Sequence, residues 1–147
     1  MNATIKEELT STRVQRTSNG KYSIIDAQGK ALSEEWKWIG YFDPGTGIAR
    51  VQREDGKFNY ITEDGKLLSD EWFEWVDDEF HCDKARVKRE DSLMNFITKQ
   101  GKLLSEEWFK YADYFRYSDA FQTSFAMADR TNGEECIIDK NGKIEVC

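Results

Sequence analysis

Short runs in which apolar and polar residues alternate recur along the chain, each bounded by turn-forming residues. Ala85 and Val87 alternate with Arg86 and Lys88, and Phe58 and Tyr60 alternate with Asn59. A period of two over a few residues, rich in aromatic and β-branched side chains, predicts half-buried antiparallel strands. Between the runs stand Asp26-Ala27-Gln28-Gly29, Thr62-Glu63-Asp64-Gly65, Thr98-Lys99-Gln100-Gly101 and Asp139-Lys140-Asn141-Gly142. The leading Asp or Thr can bond the backbone at the turn entry, and the glycine suits the left-handed position of a type I turn with a G1 bulge. The junction Glu54-Asp55-Gly56-Lys57 carries the Asp-Gly pair favoured in two-residue hairpin turns, whereas Asp91-Ser92 lacks the glycine.

The pattern repeats. Gly29-Lys30-Ala31-Leu32-Ser33-Glu34-Glu35-Trp36 returns at Gly65 to Trp72 and at Gly101 to Trp108, at a constant step of 36 residues. Ala49-Arg50-Val51-Gln52-Arg53 and Ala85-Arg86-Val87-Lys88-Arg89 keep the same step, and Arg13-Val14-Gln15-Arg16 echoes them earlier. Ala126-Met127-Ala128-Asp129-Arg130 arrives five residues late, which puts an insertion within Tyr114 to Ser124, expected as a loop. A fixed period of this length marks units that cannot bury an apolar face alone and complete a core with their neighbours. The expected organisation is an N-terminal arm over 1–12 and one repeat domain over 13–147. Its units are about 13–48, 49–84 and 85–125, with a terminal hairpin cap over 126–147.

Ser33, Ser69 and Ser105 stand like N-caps before acidic and aromatic residues, which predicts a short helical turn that tucks each following Trp under the sheet. Trp36, Trp72 and Trp108 recur at one position and are read as core rather than as a ligand ladder. The expected fold is all-β: three three-stranded antiparallel units, each with a short helical turn, arranged as a solenoid or a propeller-like arc.

Charge narrows the function. The chain of 147 residues carries a formal net charge of −7, unlike a protein that grips phosphate backbones through a basic surface. An acidic surface suits solubility or a basic partner. Met1 to Thr12 lacks an apolar signal-peptide core and no apolar stretch approaches a membrane span, so a cytoplasmic location is expected. Cys82, Cys136 and Cys147 form no CxxC pair, and reduced thiols are the default. A bulged turn at Asn141-Gly142 would pair Asp139 with Lys143 and set Cys136 against Val146. A two-residue turn would instead set Cys136 against Cys147.

The run Ala-x-Val, then Asp55-Gly56-Lys57-Phe58-Asn59-Tyr60-Ile61, then Gly-Lys-Leu-Leu resembles the WG-repeat family of bacteria and their phages, over about Arg13 to Cys147. The family's Trp-Gly pair is replaced by Tyr22-Ser23, Phe58-Asn59 and Met94-Asn95. The resemblance implies a β-repeat architecture and an interaction role, with no catalytic residues to carry over.

Candidate sites lie where the repeat fails. Trp38 and Trp75 align with Glu74/Lys110 and Ile39/Tyr111, which makes them candidates for surface contact. Asp70 to Asp83 is the densest acidic and aromatic stretch; Asp77, Asp78, Glu79, Phe80 and Asp83 in it are candidate partner-binding residues, set against the plain reading of a solvated loop. Aromatic anchors beside steering carboxylates suit the docking of a basic groove. Arg16, Arg53, Arg89 and Arg130 share one position, as do Glu35, Glu71 and Glu107, and structural Arg-Glu pairs are expected. His81-Cys82 lacks the companions of a zinc site, so no metal or cofactor is expected. One histidine, no nucleophile motif and no phosphate loop give no catalytic constellation. The chain therefore reads as a non-enzymatic protein-interaction module. The alternatives are a small acidic inhibitor or immunity protein that blocks a basic nucleic-acid-binding partner and, more weakly, a carbohydrate binder using Trp38 and Trp75.

Overall fold

The computed structural model describes residues 12–147, so the expected N-terminal arm lies outside the described residues apart from Thr12. Described residues contain strands, bridges, bends and turns and no helix. The chain divides into two compact units, Met1–Asp70 and Glu71–Cys147. The first holds β1 (Arg13–Arg16) paired with β2 (Tyr22–Ile25), and a three-stranded sheet of β3 (Trp38–Ile39), β4 (Ile48–Gln52) and β5 (Phe58–Thr62). The second holds β6 (Trp75–Val76), β7 (Lys84–Lys88) and β8 (Met94–Thr98). A larger sheet follows, made from β9 (Tyr111–Ala112), β10 (Arg116–Ser118), β11 (Thr123–Asp129), β12 (Glu135–Asp139) and β13 (Ile144–Val146). Every pairing is antiparallel.

Both turn families use one device. Gly29, Gly65, Gly101 and Gly142 donate to Asp26, Thr62, Thr98 and Asp139, whose own N–H groups bond Lys30, Lys66, Lys102 and Lys143. This is the bulged type I turn expected there. The other family closes the same way, with Arg53 bonded to Gly56 and Lys57, and Arg89 to Ser92 and Leu93, so the expected two-residue hairpin at Asp55-Gly56 is replaced by a bulged turn. The Gly65 position also admits no side chain: a Cβ there would stand 2.3 Å from the Leu32 carbonyl oxygen.

Register corrects the sequence alignment at two places. β4 pairs with β5, and β7 with β8, in the same register: Ala49 opposes Ile61 and Ala85 opposes Ile97. Trp38 opposes Gln52 and Trp75 opposes Lys88, so these tryptophans share a ladder position although they lie 37 residues apart in a 36-residue pattern. The stretch from Ser33 to Trp38 is one residue shorter than that from Ser69 to Trp75, and the stretch from Ile39 to Ile48 is one longer than that from Val76 to Lys84. The two differences cancel, which hides the equivalence from a constant step. In β1, Arg13 opposes Ile25 and therefore stands where Ala49 does; Arg16 takes the place of Gln52, and Thr17 takes the arginine position. The inward slots of Ala49 and Val51 are thus filled in β1 by exposed Arg13 and Gln15, which makes it a polar outer strand.

The expected helical turns are absent. After Ser105 the chain bends and returns extended, so that Phe109 exchanges two main-chain bonds of 2.8 Å with Met94; a helical turn would not carry Phe109 back to that edge. Ser33 Oγ accepts the Ile24 N–H instead of capping a helix. Trp72 and Trp108 are half-buried, and the buried slot belongs to the next residue, Phe73 or Phe109. In the second unit Phe109 joins Phe96, Phe115, Ala126, Cys136 and Ile138 in one cluster, with Trp75 and Leu104 against it. Buried Asn59 and Asn95 steer the chain out of the sheet: their amides donate to the Ser69 and Ser105 carbonyls at 2.8 Å. Cys136 occupies that position in β12 and pairs through its backbone with Val146, the register expected from the bulged turn.

The insertion is not a loop. It folds Arg116–Ser118 onto Thr123–Phe125 as a hairpin that prolongs β11.

Candidate functional site

On β6 and β7 the Trp75 ring lies beneath two cations, with the Arg86 guanidinium 5.5 Å and the Lys88 ammonium 5.7 Å from its centre. Asp77 fixes Arg86. Its carboxylate accepts Arg86 Nε at 2.9 Å and Nη2 at 3.0 Å, and also the Arg86 backbone N–H at 2.9 Å. The bidentate bond pushes the guanidinium pKa above its ordinary value, against the opposing effect of burial. Arg86 further donates to the Ala112 carbonyl at 3.2 Å, tying β7 to β9. Asp77 is 3% exposed, so it serves the fold's internal wiring.

Trp38 has a lighter version of this arrangement. Arg50 lies 5.2 Å above its ring, and Gly40 stands where Asp77 does, each bonding backbone to backbone with its arginine. The indole fills the room a side chain would need, since a Cβ on Gly40 would come within 2.7 Å of it. Beside the ring a groove of about 430 Å³ is lined by Val14, Ile39, Tyr41 and Phe42.

The rest of the acidic stretch is dispersed among local partners. Asp78 is exposed and Phe80 half-buried; Glu79 lies 3.7 Å from His81, and Asp83 lies 3.2 Å from Lys99. His81 and Lys84 close a two-residue hairpin through bonds of 2.7 and 3.0 Å, and both central residues, Cys82 at φ +51° and Asp83 at φ +66°, are left-handed. The expected Arg-Glu pairing occurs between Arg130 and Glu107 at 2.7 and 3.0 Å, while Arg53 and Arg89 bond Asp55 and Asp91 within their own turns. Among the described residues no group of three or more His, Cys, Asp or Glu is arranged to hold a metal ion. No described helix is long and apolar enough to cross a membrane.

Tyr41 is fully exposed in the first unit, and four further large apolar side chains stand exposed along β9 to β11, Tyr111 and Met127 on one side of the sheet and Tyr117, opposite Ser124, on the other. Phe121 is 73% exposed, Tyr117 60%, Tyr111 50% and Met127 43%. Phe121 meets Phe125 edge to face with ring centres 6.2 Å apart. Tyr114 stacks on His81 at 4.5 Å and carries Arg116 at 4.6 Å. Two shallow grooves lie among these strands. One, of about 330 Å³, is lined by Tyr114, Arg116, Tyr117, Phe125 and Met127; the other, of about 240 Å³, by Tyr111, Asp113, Met127, Asp129 and Glu135.

Of the candidates named from sequence, the structure brings Trp75 and Asp77 together around Arg86 and sets Trp38 in a separate groove. It leaves Asp78, Glu79 and Asp83 outside both. Tyr117 and Phe121 escaped residue-level reading because they sit in an insertion with no counterpart to align, and Tyr111 and Met127 because they were read only as repeat positions. The one available signal was the insertion itself, dense in Tyr and Phe. Neither a protein-family model nor a curated protein matches this chain.

Proposed function

We propose that this chain is a non-enzymatic protein-interaction module of WG-like β-repeats, acting in the cytoplasm, that binds a partner through the exposed aromatic residues of β9 and the insertion hairpin. The three sheets containing β3, β6 and β9 are successive copies of one unit, and β12 and β13 form the terminal cap. The observation that carries the reading is the exposure of Tyr117 and Phe121 on a hairpin that the repeat does not require. Large aromatics left in water on a chain that can bury Phe73, Phe96, Phe109 and Phe115 are what protein interfaces use as anchors. The trapped Asp77 and the cation-covered rings of Trp38 and Trp75 favour these exposed aromatics over the acidic stretch around them. A second reading, an acidic inhibitor of a basic partner, is favoured by the carboxylates of Asp113, Asp129 and Glu135 along one groove.

The test is site-specific photocrosslinking in the source cells. A photoreactive residue at position 121 is expected to give a discrete adduct of defined mass, and the same residue at exposed Lys140 none. Equal labelling from both positions, or none from position 121, contradicts the reading.

A further inference from the structure

Register makes Asp77, Trp75 and Arg86 on one sheet equivalent to Asp113, Tyr111 and Met127 on the next. Trp75 opposes Lys88 as Tyr111 opposes Asp129, and the Asp77 and Asp113 N–H groups bond the Arg86 and Met127 carbonyls at 2.9 Å each. In the first setting a guanidinium lies between carboxylate and ring. In the second the carboxylate and the ring are retained, the arginine has become methionine, and the lysine has become Asp129. The place a cation fills beside β6 is thereby left on β9 as a groove of about 240 Å³ flanked by three carboxylates, Asp113, Asp129 and Glu135.

We propose that this groove receives an arginine side chain from a protein partner, seated on Tyr111 and Met127 and paired with Asp113. The inference rests on the interaction reading above and names the chemistry of its partner. Tyr111 and Met127, about half exposed, offer a ring for the guanidinium and a flexible thioether for its methylene stem. Asp113 differs from Asp77 in that its Oδ1 accepts the Tyr114 N–H at 2.9 Å, but an ionised carboxylate keeps lone pairs on both oxygens for a two-pronged donor. Its present cationic neighbour competes little: Arg116 lies 3.7 Å away on an exposed side and spreads over Tyr114. Arg86 is paired first with Asp77 and, more weakly, meets the Tyr111 hydroxyl, which leaves the Tyr111 ring to the incoming guanidinium. Lysine fits less well, since a point charge cannot match the fork.

The test is titration of the isotopically labelled full chain, followed by backbone amide shifts, with the blocked peptide Gly-Arg-Gly-Arg-Gly and its citrulline counterpart. Saturable shifts centred on Tyr111, Asp113, Met127 and Asp129 are expected with the arginine peptide. Affinity should be at least tenfold weaker for citrulline and should fall with added salt. Asp113→Asn should weaken binding at least tenfold. Met127→Arg, which supplies the guanidinium from within as Arg86 does, should abolish it; the spectra themselves report whether each variant is folded. Equal binding of the citrulline peptide would overturn the arginine assignment while leaving an interaction face standing. Shifts spread over acidic residues elsewhere, binding unchanged in Met127→Arg, or no binding of either peptide would overturn it as well.

Discussion

At Ser92 the backbone takes φ +69° in a turn that carries glycine at Gly20, Gly56 and Gly133. A left-handed conformation costs an L-residue with a Cβ more than it costs glycine, partly offset by glycine's greater unfolded freedom. Ser92→Gly should therefore raise stability by about 0.5–1 kcal/mol, seen as a higher urea midpoint at unchanged slope. Asn95 lies at the other extreme. Its side chain bonds the Ser105 carbonyl and the Phe96 N–H inside the core, so Asn95→Ala should cost about 2–3 kcal/mol by leaving both unmade. Asp77→Ala strands Arg86 and should cost about 3 kcal/mol, the low end for a broken buried pair because the bond to Ala112 survives. Little of this was legible beforehand. Asn59 and Asn95 stood out only as departures from a family pattern, and Asp77 read as one carboxylate among many because sequence does not say which of seven neighbouring acids faces inward.

Elements were easier to foresee than their joints. Alternation and glycine placement gave the strands and the bulged turns, since both depend on a few consecutive residues. The helical turns after Ser33, Ser69 and Ser105 failed because local capping signals lose to a long-range demand, the return of Phe109 to the edge of β8. The shared position of Trp38 and Trp75 was hidden by two compensating length changes that only pairing reveals. The hairpin corner at Cys82-Asp83 follows the same logic as Ser92. Asp83→Gly relieves the left-handed backbone but gives up the 3.2 Å pair with Lys99, so it should stabilise by at most about 0.5 kcal/mol, read as a small rise in the urea midpoint at unchanged slope. The five extra residues of the third unit were located from sequence, but not their hairpin, because nothing in the repeat provides a strand to compare with β10.

Across the molecule, burial sorts otherwise similar groups. Cys136 is buried and its thiol pushed up by desolvation, whereas Cys82 and Cys147 are exposed. Since the thiolate is the reactive form, iodoacetamide at pH 8 should modify Cys82 and Cys147 at least about tenfold faster than Cys136 under native conditions, as read by mass spectrometry of digests. The same sorting separates the half-buried tryptophans and buried Asp77 from Tyr117 and Phe121, which are 60% and 73% exposed. That contrast supports the proposal that a partner binds at the insertion hairpin. The most direct measurement is quantitative capture from source-cell extract by wild-type chain and by the Tyr117→Ala/Phe121→Ala variant, with folding checked by thermal melting. Retention of a defined protein by wild type, lost at least tenfold in a variant that melts within a few degrees of it, is the predicted result. Identical capture by the two chains would contradict the account.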